Sequence, residues 1–257
     1  MKVLKSILKK WNSYKYRFVP WIAIKMGNQN VAIEHQEILS DEEVERQLFK
    51  LFQSLDFYSN FNCKNETVTN LTKDVGFTIE TRQSCLEGAG TGVFVASGKV
   101  LPGQIVALYP GTVYFPEDPK LLQSINNPFM FRCKDYLHVD GKNWGVSKTI
   151  YKSCFSRDRL GVFDSCDSTW LSHTLSCYVS FNIGQFVNNS TFNIPANVHY
   201  QEYNIMLYNM PLNFRRFIPN INYNSYGKDF IRTVVLVATR EISTDEELLS
   251  SYFTLSF

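Results

Sequence analysis

The run at residues 230–240, FIRTVVLVATR, constrains the fold more than any other stretch of the chain. Its β-branched residues lose little in an extended, packed backbone and more in a helix. Shorter runs of the same kind begin at Val75: residues 77–81, 93–96, Ile105–Tyr109, 112–115, 129–133 and 136–139. Turn residues part them: the glycine-rich stretch 85–92, Pro102-Gly103, Pro110-Gly111 and Lys134-Asp135, the last joining a predicted hairpin. Many short strands at uneven spacing, with few helices, argue a mostly β (α+β) domain.

The totals narrow the class. A chain of 257 residues, 44% hydrophobic and 19% charged, is long enough for one large domain, with or without a small extension, and is not disordered in composition. A net charge of +2 gives no case for nucleic acid. The six cysteines form no C-x-x-C pair and the four histidines stand singly, so no metal site is predicted and the thiols read as reduced, in an intracellular compartment. No apolar run reaches the roughly 18 residues of a membrane span.

Residues 1–74 read as a basic, helical extension and 75–257 as the main domain, with an unassigned insert at about 141–183. The first acid is Glu34, and Val3, Leu4, Ile7, Leu8 and Trp11 share one helical face opposite the lysines. Three readings of residues 1–25 stay open: a helix packed on the domain, a mitochondrial transit peptide meeting an import receptor, or a membrane-surface helix. The compartment is accordingly open between nucleus or cytoplasm and mitochondrion. Ser40-Asp41-Glu42-Glu43 has the form of a capping box, and Val44, Leu48, Leu51, Phe52 and Leu55 then repeat at helical spacing. Residues 58–74 read as a connector, and 214–217 and 221–226 as loop.

Three far-apart stretches look built to meet: GAGTGVF at 88–94, GQFVNNSTFNIPANVHYQEY at 184–203, and DEELLSSYF at 245–253. Glycines at 88, 90 and 92 supply positive φ or close backbone approach. A dinucleotide fold would need a helix directly after them, and a strand follows instead. Glu246 and Glu247, read alone, are turn charges.

Taken in order, Gly90-Thr91-Gly92, then Tyr109-Pro110-Gly111, then Gln185-Phe186-Val187-Asn188-Asn189-Ser190 with Pro195 and Asn197, then Glu246-Glu247-Leu248 with Tyr252, resemble the SET-domain family of S-adenosylmethionine-dependent protein methyltransferases. Residues 14–22 narrow the resemblance to the SET domain-containing protein 9 subfamily. The resemblance implies a SET β-clip domain whose segment around Asn188 makes a knot-like crossing near the C-terminus. It implies S-adenosylmethionine as cofactor, contacted by Gly90, Gly92, Asn188, Asn189 and Tyr252, and a lysine channel lined by Tyr109, Tyr200 and Tyr252. The implied activity is protein lysine N-methyl transfer onto a protein or peptide partner. A catalytically silent binding module and transfer to another nitrogen, such as histidine, are the alternatives. Asn189 stands where the family has His and Gln185 where it has Arg, and no cysteine-rich tail follows Tyr252, so something else must close the channel.

Overall fold

A computed structural model describes residues 32–33, 38–59, 74–151, 181–224, 227–251 and 254–255. In chain order these form β1 (Ala32–Ile33), α1 (Asp41–Ser59), β2 (Phe77–Gln83), β3 (Thr91–Gly98), β4 (Ile105–Tyr109), β5 (Gly111–Tyr114), α2 (Leu121–Ser124), β6 (Met130–Arg132), β7 (His138–Asp140) and α3 (Gly145–Ile150). A 3₁₀ turn (Gly184–Phe186) then leads to β8 (Asn188–Asn189), β9 (Val198–Met206), α4 (Leu212–Arg215), β10 (Asn220–Asn222), β11 (Phe230–Ala238), β12 (Glu247–Ser250) and β13 (Thr254–Leu255). The fold is mostly β, with short helices, as the sequence pattern predicts.

β11 is the centre of a three-stranded antiparallel sheet, between β4 and β9. Every β11 residue after Phe230 is buried, which is why its sequence is largely apolar rather than alternating. Its two strongly polar positions are both matched. Thr233 Oγ1 donates to Asn220 Oδ1 at 2.6 Å. Arg232 donates to Asp135 Oδ2 at 2.5 Å and to Glu202 Oε2 at 2.9 Å, pinning the tip of the β6–β7 hairpin to the sheet. A second sheet runs β10-β5-β7-β6, and a third β2-β3-β12-β8. In the third, β8 lies parallel to β12, although three strands separate them in sequence. Such a pairing brings the 188–189 segment against residues 249–250. A short parallel pair joins β1 to β13.

α1 starts where predicted, and half of its cap is made as predicted. The Glu43 N–H donates to Ser40 Oγ at 3.3 Å, but the Glu43 carboxylate turns to Arg46 and Gln47 instead of back to Ser40. Those bonds hold its carboxyl down to about 2. The stripe Val44, Leu48, Leu51, Phe52 and Leu55 is buried in the same core as β4 and β11. Burial on this scale contributes about 1.5–3 kcal/mol per side chain.

Two loop readings are corrected. Residues 220–222 form β10, parallel to β5, because their amides bond across the fold: Asn220 Nδ2 donates to Tyr109 O at 2.9 Å and Asn222 Nδ2 to Phe230 O at 2.8 Å. Residues 212–215 form α4, since Phe214 is buried against Phe49 of α1, ring centroids 5.1 Å apart. The basic start 1–25, residues 60–73 of the connector and 152–180 of the insert lie outside the described residues. Among the described residues no helix is long and apolar enough to cross a membrane.

Candidate active site

The glycine turn is built by left-handed backbone. Gly88 and Gly90 have φ of +75° and +74°, and the Ser84 N–H closes the turn on Gly90 O at 2.8 Å. A Cβ at Gly90 would meet nothing within 4 Å, so open space lies over it. Gly92 is a glycine for a different reason. A Cβ there would stand 2.2 Å from Glu247 Oε1, so the carboxylate would have to move, and 3.3 Å from Asn188 Nδ2, a tight contact.

Glu247, read from the sequence as a turn charge, is therefore the hub of the site. It opens β12 and is only 8% exposed. Its Oε1 accepts from Ser84 Oγ at 2.7 Å and from Asn188 Nδ2 at 3.1 Å, and its Oε2 accepts from the Cys85 N–H at 2.9 Å. The sequence held one clue: an acid directly before the apolar Leu248-Leu249, where a buried strand begins. Its neighbour Glu246 faces outward to Arg240. Burial pushes the Glu246 carboxyl up, but bonds from Arg240, the Ser243 N–H and Asn197 outweigh that and hold it below its ordinary value.

Asn188 spends both amide hydrogens on the protein. Nδ2 donates to Thr91 O at 3.0 Å and to Glu247 Oε1 at 3.1 Å, and Oδ1 accepts from no described residue. Its backbone pairs with Leu249, and Asn189 pairs with Ser250. Asn197, 1% exposed, latches the same strand. It donates to Glu247 O at 2.9 Å and accepts the Leu249 N–H at 2.8 Å.

From β12 the site continues into an aromatic cluster. Ser250 Oγ lies 3.0 Å from the Tyr200 hydroxyl and 3.5 Å from Asn188 O. Tyr200 and Tyr109 flank β11 two residues apart in register, so their rings share one face, centroids 6.2 Å apart and edge to face. Phe131 packs on both, at 5.4 and 5.1 Å. Tyr109 and Tyr200 are 1% and 2% exposed, and the Tyr109 hydroxyl donates to Phe129 O at 2.8 Å. Gln185 is buried beside them, its Cβ 3.1 Å from where a Cβ on Gly141 would stand. Gly90, Gly92, Asn188 and Asn189 thus gather around β12, Tyr200 is one bond away, and Tyr109 lies behind it. Tyr252 lies outside the described residues, two positions past Ser250.

Among the described residues one group of metal-ligating side chains gathers, Cys133, Asp135 and Glu202. The Arg232 guanidinium bonds both carboxylates, so the cation that neutralises them belongs to the protein.

No family model matches the sequence. The chain is 36% identical over 298 residues to SET domain-containing protein 9 of Homo sapiens, a match covering 99% of this chain and 98% of that one. The chain belongs to the SET domain-containing protein 9 family. A relative of the same name from Pongo abelii is 37% identical over 257 residues, covering 85% of this chain and 93% of its own. Solved structures overlap more loosely. A ctPRC2 structure in an autoinhibited conformation, bound to S-adenosylmethionine, has a TM-score of 0.37 at 13% identity, over 71% of this chain and 16% of that one. A putative histone methyltransferase of Plasmodium falciparum has a TM-score of 0.31 at 15% identity, over 68% of this chain and 92% of that one. In this member of the SET domain-containing protein 9 family, the Gly90-Thr91-Gly92, Asn188-Asn189 and Glu247-Leu248 segments meet at adjoining strands, β3, β8 and β12.

Proposed function

We propose that the chain is an S-adenosylmethionine-dependent protein lysine N-methyltransferase. The observation that carries this reading is the convergence on β12 of the glycine turn, the Asn188 amide and, through Ser250, the buried tyrosines. The donor set suits the cofactor: an open space over Gly90, and an Asn188 Oδ1 left to accept from an ammonium group. When bound, the cofactor supplies an electrophilic methyl group on a sulfonium.

The residues have separate tasks. Gly90 leaves room at the turn, and Asn188 holds the amino-acid end of the ligand. The backbone at Asn189, in ladder with Ser250, keeps the edge of the pocket fixed. Tyr252, two positions past β12 in sequence, is assigned the closing of the site on the family resemblance alone, while Tyr109 and Tyr200 form a rigid aromatic wall. Such a wall excludes water and orients the lysine amine for in-line attack, which is where rate is gained. At pH 7 a lysine with an ordinary value near 10.4 needs roughly 4–5 kcal/mol to become neutral. Desolvation in the channel lowers that cost, so a dedicated base is not required.

One observation favours a second reading, a binding module without catalysis. Both wall tyrosines are buried, and their hydroxyls are already engaged, by Phe129 O and by Ser250. Calorimetry with S-adenosylmethionine and labelling of a lysine-containing protein mixture separate the two. The methyltransferase reading expects micromolar affinity, label on lysine by mass spectrometry, and a loss of label of at least about tenfold in Tyr252→Phe. Label on histidine would move the target nitrogen, and absence of cofactor binding would leave the module reading.

A further inference from the structure

We propose that Glu247 is a positioning residue that sets the orientation of the Asn188 amide and so fixes which atom of it the ligand meets. The inference rests on the cofactor reading above and deepens it. A side-chain amide has an acceptor end and a donor end, and rotation by half a turn about its last bond exchanges them. Here the donor end is claimed twice, by Thr91 O at 3.0 Å and by Glu247 Oε1 at 3.1 Å. Turned over, Asn188 Oδ1 would face two acceptors, a carbonyl and a carboxylate, with no hydrogen between them. Thr91 O alone would set a preference of ordinary hydrogen-bond size, whereas the carboxylate makes it charge-assisted. A carboxylate accepting one end of an amide also polarises it, making the opposite oxygen a stronger acceptor. Oδ1 is thereby held as an acceptor for a cationic group, which matches an α-ammonium and not a carboxylate.

Glu247 itself cannot drift. Ser84 Oγ and the Cys85 N–H hold it from the glycine turn, and Gly92 leaves it the space in which it lies. One carboxylate thus ties the turn 84–92, β8 and β12 together, and the absent side chain at Gly92 serves Glu247 rather than the ligand directly. Its negative charge also lies one amide away from the expected ammonium.

The test is a double-mutant cycle read by calorimetry on the full chain. Glu247→Gln keeps the shape but removes the charge and one acceptor, so whichever way its amide faces the charge-assisted bond from Asn188 Nδ2 is lost. The expected result is a roughly tenfold or greater weakening of S-adenosylmethionine in Glu247→Gln, against less than about twofold when the same change is made in an Asn188→Ala background. The 5′-methylthioadenosine ligand, which lacks the amino-acid end, should lose less than about twofold in either background. Equal losses in both backgrounds, or equal losses for both ligands, mean a general structural effect and overturn the proposal. A second measurement needs no variant: the two Asn188 side-chain amide hydrogens in the wild-type chain should exchange slowly, before and after ligand is added. Fast exchange also overturns it. A wild-type chain that binds neither ligand ends the cofactor reading and this inference with it, and the amide exchange still reports separately on the Glu247–Asn188 contact.

Discussion

Asn197 shows how a single side chain substitutes for backbone pairing. β12 bonds to β8 on one side, and Asn197 supplies a ladder-like contact: its N–H and Oδ1 serve Leu249, and its Nδ2 serves Glu247 O. Leu249 and Glu247 are 3% and 8% exposed, so water does not replace these bonds. Asn197→Ala leaves a buried N–H and a buried carbonyl without partners, at about 1–3 kcal/mol for each. The expected outcome is a destabilisation of roughly 2–4 kcal/mol by urea denaturation. Asn193→Ala, at an exposed position four residues earlier, should stay within about 0.5 kcal/mol. Equal midpoints for the two variants would contradict the latch. The sequence motif placed Asn197 near the pocket but could not reveal this, because its partners lie about fifty residues on.

At the scale of elements, what was legible is what is locally encoded. α1 follows from a Ser40 cap and an apolar stripe, β4 and most of β11 from apolar runs, and the β6–β7 hairpin from its turn. β10 was not legible, since an Asn-rich triplet becomes a strand only when Tyr109 and Phe230 supply carbonyls for its amides. Nor was β8, a two-residue strand whose existence depends on β12. The sequence also left open what closes the site. The pairing of β1 with β13 supplies a candidate: Ala32 lies opposite Thr254 and Ile33 opposite Leu255. Thr254 is four residues beyond Ser250, which places the pair at most about 14 Å of chain from the site. Proline at both Ala32 and Ile33 removes both N–H groups from that pair. Hydrogen exchange at Thr254 and Leu255 should then accelerate by at least about tenfold, with β11 protection unchanged. Unaltered exchange at 254–255 would show that β1 does not hold the chain's end.

For the molecule as a whole, the buried cluster runs from α1 through β2, β3, β4, β9 and β11 to Leu248, so unfolding should read as one transition. One buried group ties that transition to pH. His138 is 5% exposed in β7, opposite Tyr114 in β5 and Arg132 in β6. Burial, then the charges of Lys120 and Arg132, push its imidazole down from 6.5 to about 3. Between those values the unfolded chain binds a proton that the folded chain refuses. The resulting stability is complete above pH 6.5 and is lost as pH falls toward 3, at about 1.4 kcal/mol per unit. Its strand neighbour Asp140 works in the opposite sense, because burial raises its carboxyl despite bonds from Ser147, Asn127 and the Lys142 N–H, so its contribution falls as pH rises through the raised value. The two partly offset in the wild type, and the informative quantity is the difference from His138→Gln, which removes one titration and leaves the other. On going from pH 7 to pH 5 the wild type should lose about 2 kcal/mol more than His138→Gln, measured by urea denaturation at each pH. Parallel stability curves over that range would mean that His138 takes up its proton without unfolding the sheet around it.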